Sequence, residues 1–160
     1  MSTRSKSIDI ETHKQLAIQL FNQTWDLIEK QDRTAEEEEL MLYAANASRY
    51  HWGIAGEPLH LARGEWQISR VYALLKRHEP ALHHAERSLQ LCRENELGAF
   101  DTGFAYEAMA RAFTVAENQE NMERYTDLAI QMLENISKEE DKSWLLKNIA
   151  TVKTNTLPVF

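Results

Sequence analysis

WQISRVYALLKRHEPALHHAERSLQLC (Trp66–Cys92) falls without a gap over EAMARAFTVAENQENMERYTDLAIQML (Glu107–Leu133) when the sequence is shifted by 41 residues. The apolar positions coincide: Ile68 with Met109, Val71 with Ala112, Tyr72 with Phe113, Leu74 with Val115, Ala81 with Met122, and Leu89 with Ile130. Arg70 over Arg111, Glu79 over Glu120 and Gln90 over Gln131 are identities. In each copy the apolar residues recur at the 3.6-residue helical period on both sides of a short polar joint. Two unrelated helical hairpins share that period but seldom the position of the turn as well. The two stretches therefore read as a structural repeat of two helices.

Outward from this pair the same period continues. Ala17, Leu20, Phe21, Thr24, Leu27 and Ile28 line one side of a first helix. Thr34 with Glu37 forms a capping box that starts a second, whose core stripe is expected to be Leu40, Tyr43, Ala44, Ala47, Tyr50, His51 and Ile54, ending at Gly56 as a left-handed terminator. Pro58 opens a third helix to about 77, because a proline's missing N–H has no partner at the first helical position in any case. Pro80 opens a fourth in the same way, about 80 to 96, stopped by Gly98. Asp101 and Asn118 can cap a fifth and a sixth, and Ser137 with Glu140 a seventh. The chain of 160 residues has only 5 glycines and 3 prolines, which argues against a turn-rich β fold. The expectation is an all-α fold of about seven helices in antiparallel hairpins, with one domain over 10–153, a flexible tail at 1–9 and a C-terminal tail at 154–160.

The repeat resembles the tetratricopeptide-repeat (TPR) family over about residues 58–136. That family pairs aromatic, large-plus-small and further aromatic residues on its first helix with an alanine on its second. Here the pattern falls on Ile68-Ser69, Tyr72 and Ala81, and then on Tyr106, Met109-Ala110 and Phe113. The chain departs from it at Glu65, where an aromatic would lead the first copy, at Ala85 and Thr126 in place of a phenylalanine, and in a period of 41 rather than 34. The resemblance implies a right-handed array whose first helices line a concave groove.

Charge placement suggests what that groove would take. The net charge is −7, which argues against a nucleic-acid binder, yet residues 58–95 hold six basic and four acidic residues, so they carry +2 and the remainder −9. Arg63, Trp66 and Arg70 share one face of the third helix, and their mates at +41 are Phe104, Glu107 and Arg111. The resemblance places these six on the concave surface. Guanidinium forks there would suit carboxylates, and the rings would supply apolar contact area. The expected activity is non-enzymatic binding of a protein or peptide partner, an acidic segment or a small anionic ligand. A homodimer stays open.

Catalytic signals are weak. No Gly-rich phosphate loop, His-Glu-x-x-His or G-x-S-x-G motif is present. Six histidines raise an alternative in which His51, His60 and His84 gather a metal on three helices, resembling the DinB-type metal-dependent helical enzymes. Against it, Glu57-x-x-His60 occurs once and the adjacent His83 and His84 point about 100° apart on a helix. No cofactor is expected. Cys92, the single cysteine, matches Leu133 in the repeat and reads as a buried structural thiol in a reducing, cytoplasmic setting. No run of apolar residues is long enough for a membrane span, and the N-terminus lacks the apolar stretch of a secretory signal.

Overall fold

The computed structural model describes residues 7–158, and among them every regular element is helical. The helices are α1 (Ile10–Glu29), α2 (Ala35–Ala55), α3 (Pro58–Leu74), α4 (His78–Glu94), α5 (Ala99–Val115), α6 (Gln119–Met132, followed by a single 3₁₀ turn) and α7 (Glu139–Ala150). The first six residues of the expected flexible tail lie outside the described residues. The all-α architecture of seven helices matches the expectation. No helix is long and apolar enough to cross a membrane among the described residues.

Short joints force consecutive helices to pair as α1/α2, α3/α4 and α5/α6, with α7 alone at the end. Each even-numbered helix also packs on the odd-numbered helix that follows it, α2 on α3 and α4 on α5, while α3 touches α5 and α5 touches α7. The 41-residue register appears in the backbone. Lys76 and Glu117 are both left-handed, with φ of 60° and 58°. Arg77 N donates to Tyr72 O at 2.9 Å, and Asn118 N to Phe113 O at the same distance. Ser69 and Ala110 are buried at the helix crossings, and Ser69 Oγ donates to Ala81 O at 2.7 Å, a contact a larger side chain would block.

The two larger of four apolar clusters among the described residues hold the layers together. Ile28, Met41, Ala45, Ile68 and Val71 close α1, α2 and α3, and a larger cluster around Trp66, Leu89, Phe104, Met109 and Leu145 closes α3 to α7. Burying a side chain such as Ile68 or Val71 contributes about 1.5–3 kcal/mol. Gly103 is needed at the α5/α7 crossing, because a Cβ there would lie 2.5 Å from Leu145 Cδ2.

Several local expectations are corrected. The core face of α2 is Met41, Ala44, Ala45, Ser48 and Trp52, so of the predicted stripe Ala44 is buried while Leu40, Tyr43, Tyr50 and Ile54 are exposed. Both stripes have helical spacing, so periodicity alone did not say which one the neighbouring helices cover. Gly56 is extended rather than left-handed. It serves close packing, since a Cβ would lie 2.8 Å from the Trp52 ring. α5 begins at Ala99 after Gly98, placing Asp101 inside its first turn, and α7 starts without the Ser137 cap.

Candidate functional site

Glu107 is the centre of a buried ionic cluster. Its carboxylate accepts from Trp66 Nε1 at 3.0 Å, from Arg70 Nη1 at 3.0 Å, and from Arg111 Nε and Nη2 at 2.9 and 2.7 Å. Arg70, Glu107 and Arg111 are all no more than 2% exposed. This corrects the expectation that the two arginines face an open groove, because the preserved cationic pair is consumed internally. The reason is geometric: α3 and α5 touch, so residues one period apart meet across the crossing instead of presenting outward. Two guanidiniums against one carboxylate leave a buried excess of positive charge. Burial first, and then the charge of Arg111, push the Arg70 guanidinium down to about 10, so it stays charged at neutral pH.

The C-terminal segment supplies the remaining acceptors. Arg111 donates to Asn148 O at 3.0 Å, to Thr151 Oγ1 at 2.8 Å and to Thr156 O at 3.3 Å, and Arg70 Nη2 reaches Thr156 O at 3.4 Å. Asn155 Nδ2 donates to Ala73 O at 2.9 Å. Leu157 packs on the Ile28–Val71 cluster and Pro158 is buried. The stretch expected as a tail from 154 is thus, as far as 158, a strap across the inner face of α3 and α5.

Beside this cluster the odd-numbered helices leave a cavity of about 290 Å³. Phe21 and Trp25 come from α1, Ala62, Arg63 and Trp66 from α3, Phe100, Asp101 and Phe104 from α5, and Trp144 from α7, with Ser88 of α4 the one contribution from an even-numbered helix. The rings are held edge to face: Trp66 to Phe104 at 5.5 Å and Phe100 to Phe104 at 5.0 Å, with Trp25 tilted over Trp66 at 5.6 Å. At the rim Arg63 makes a two-pronged ion pair with Asp101, at 2.8 and 3.3 Å, while its guanidinium lies 5.9 Å above the Phe100 ring. The Arg63 side chain is 48% exposed, so its outer N–H groups meet solvent. A second cavity of about 690 Å³ adjoins the first, sharing Trp25 and Trp144 and bounded by Leu157 and Pro158 of the strap. The chemistry on offer is apolar, aromatic contact with one cation at the mouth.

Of the six residues singled out from the sequence, Arg63, Trp66 and Phe104 line this cavity, whereas Arg70, Glu107 and Arg111 brace it from behind. Sequence reasoning missed Phe21, Trp25, Phe100, Asp101 and Trp144. One signal was available: three of the four tryptophans fall on odd-numbered helices, and Phe21 and Trp25 are one helical turn apart.

The histidines do not converge. His51 Nδ1 faces His13 Nδ1 at 2.7 Å, the His60 ring stacks on Trp52 at 4.2 Å, and His84 Nδ1 meets Glu65 at 2.6 Å. Among the described residues no three His, Cys, Asp or Glu side chains could hold a metal ion together. His51, His60 and His84 are each committed to a different contact. Glu65, the departure from the aromatic pattern, is buried and also accepts from Arg49 and Arg87, tying α2 and α4 to α3. Its equivalent Tyr106 instead takes Arg93 on its hydroxyl at 3.2 Å. Cys92 is buried, and burial, with Asp101 nearby, pushes its thiol up to about 11, so it stays protonated at neutral pH. Comparison of the chain with protein-family models, with curated proteins and with solved structures found no match.

Proposed function

We propose that the chain is a TPR-like interaction module, without turnover, that binds a peptide segment along the inner face of its odd-numbered helices. The bound segment seats one bulky apolar or aromatic side chain among Trp25, Trp66, Phe100, Phe104 and Trp144 and sets a neighbouring carboxylate against the outer edge of Arg63. The observation that carries this reading is the six-ring cavity with a half-exposed guanidinium at its mouth. A volume of about 290 Å³ admits one large side chain with room to spare and lies at the small end of ligand sites. Rigid rings around it present apolar area at little entropic cost. The preference for an acidic segment moves from Arg70 and Arg111 to Arg63.

Three tryptophans in the cavity give the test its readout. Octapeptides carrying a central Phe-Glu, Phe-Gln, Leu-Glu or Ala-Glu pair are titrated while intrinsic fluorescence is followed. Phe-Glu and Leu-Glu should bind in preference to Ala-Glu. Arg63→Gln should weaken Phe-Glu by about tenfold while leaving Phe-Gln unchanged, and Phe100→Ala should weaken both. Absence of saturable binding by any of the four probes at millimolar concentration would sink the reading.

A further inference from the structure

The helix α2 has two apolar faces, and the fold uses one of them. Met41, Ala44, Ala45, Ser48 and Trp52 are buried against α1 and α3. On the other side Leu40, Tyr43, Ala47, Tyr50 and Ile54 follow one another at spacings of 3, 4, 3 and 4, the a/d pattern of a two-helix seam. Tyr43 and Tyr50 are 63% and 64% exposed, and Leu40 and Ile54 43% and 45%. The location does not call for such residues. The residues at the matching outward positions of the other two hairpins are polar and exposed: Glu79, His83, Glu86 and Gln90 on α4, and, 41 residues on, Glu120, Arg124, Asp127 and Gln131 on α6, where Ile130 alone adds an exposed apolar side chain and forms no stripe. Neither the core nor the groove uses the stripe on α2.

We infer that this stripe is a dimer seam, with α2 packing antiparallel against α2 of a second copy of the chain. Three observations select that occupant. The stripe reads alike in both directions from Ala47, a tyrosine and then a branched aliphatic residue on each side, so a two-fold axis near Ala47 sets Ala47 over Ala47, Tyr43 over Tyr50 and Leu40 over Ile54 of the second copy, and the patch pairs with itself. The run Glu36–Glu39 sits at one end only. A parallel pair would bring both runs together, whereas an antiparallel pair places them at opposite ends of the seam. Within the stripe the flanking positions Ala44, Asn46, His51 and Gly53 include no carboxylate, and Glu39 is engaged by the Tyr43 hydroxyl at 2.9 Å. The four exposed side chains offer on the order of 400 Å² per copy, about half of what each partner of a standard interface buries. Association is therefore weak and depends on concentration.

Sedimentation velocity on the full chain from about 5 to about 500 µM should show the weight-average coefficient rising from monomer towards dimer. Tyr43→Glu with Tyr50→Glu should raise the dissociation constant at least about tenfold while leaving helicity and the thermal midpoint in place, because both rings are exposed. If that double variant misfolds, Ile54→Lys alone carries the same expectation. On oxidation Ala47→Cys should cross-link two copies and Leu40→Cys should not. Monomer at every concentration, association untouched by these variants, or cross-linking through Leu40→Cys rather than Ala47→Cys would each overturn the proposal. A stripe that seats another protein's helix but no second copy would overturn it too.

Discussion

Trp66 and Glu107 stand one 41-residue period apart and are hydrogen-bonded to each other, indole Nε1 to carboxylate Oε2 at 3.0 Å. Equivalent positions of successive hairpins thus meet, and the contact draws Arg70 and Arg111 onto the same carboxylate. Removing that charge isolates two buried cations. Glu107→Gln keeps the shape and an acceptor for Trp66 yet should cost about 3–5 kcal/mol, the range for breaking a buried pair. Chemical denaturation measures it, and a loss below about 1 kcal/mol would show the cluster to be far more hydrated than its burial implies.

The two arginines should differ. Arg111 reaches Glu107, Asn148, Thr151, Asn155 and Thr156, while Arg70 reaches Glu107 and Thr156, and its Nε has no hydrogen-bond partner among the described residues. Arg111→Gln should therefore destabilise more than Arg70→Gln, by about 1–2 kcal/mol, through the lost anchoring of the strap. An exposed groove arginine would have been nearly neutral on replacement. Equal small shifts in the two single variants would restore that surface role.

How far the sequence carried is clearest at these same residues. The repeat register, the capping box of Thr34 with Glu37 and the helical start at Pro58 follow from local chemistry, and local chemistry sits in consecutive residues. Arg70 and Arg111 were legible as a pair but not as buried, because burial depended on how closely α3 crosses α5 and on a strap 45 residues beyond Arg111. The cavity was half legible for the same reason. Trp66 and Phe104 belong to the repeat, whereas Trp25 and Trp144 come from helices outside it. On α2 two stripes of similar spacing compete, and nothing in the residues of that helix alone says which one its neighbours cover.

Acid should weaken the fold in two stages. Burial first, and then the charge of His13, hold the His51 imidazole below its ordinary 6.5. The unfolded chain therefore takes up a proton that the folded chain resists, so this contribution is complete above about pH 6.5 and is lost as pH falls through the folded value. Burial raises the Glu65 carboxyl, but the hydrogen bond and charge of His84, together with Arg87 and Arg49, outweigh it and hold the group below its ordinary 4.5. Stability from Glu65 is complete above about pH 4.5 and fades below it. Thermal midpoints across pH 7.5 to 3.5 should show both stages, the first absent in His51→Gln and the second reduced in Glu65→Gln. A midpoint flat from pH 7.5 to 5 would contradict the depressed imidazole.

The strap can be tested at Asn155, which does two separable jobs. Its backbone is left-handed, with φ of 50°, a region that asparagine adopts at less cost than alanine. Its side chain donates to Ala73 O at 2.9 Å and accepts from Arg111 Nη1 at 3.4 Å, linking α3, α5 and the strap. Asn155→Gly keeps the left-handed backbone accessible but removes the side-chain bonds and frees the unfolded chain, so it should cost about 1–2 kcal/mol. Asn155→Ala loses the same bonds and adds about 1–2 kcal/mol of left-handed strain, and the difference between the two variants reads that strain net of the entropy that glycine gives the unfolded chain. Because the strap also bounds the larger cavity through Leu157 and Pro158, both variants should speed carboxypeptidase digestion beyond Thr151 before global unfolding begins. If alanine and glycine have equal effects, the left-handed turn is not stressed in solution. If neither accelerates digestion, the strap is held by Leu157 packing and not by the bonds that Asn155 makes.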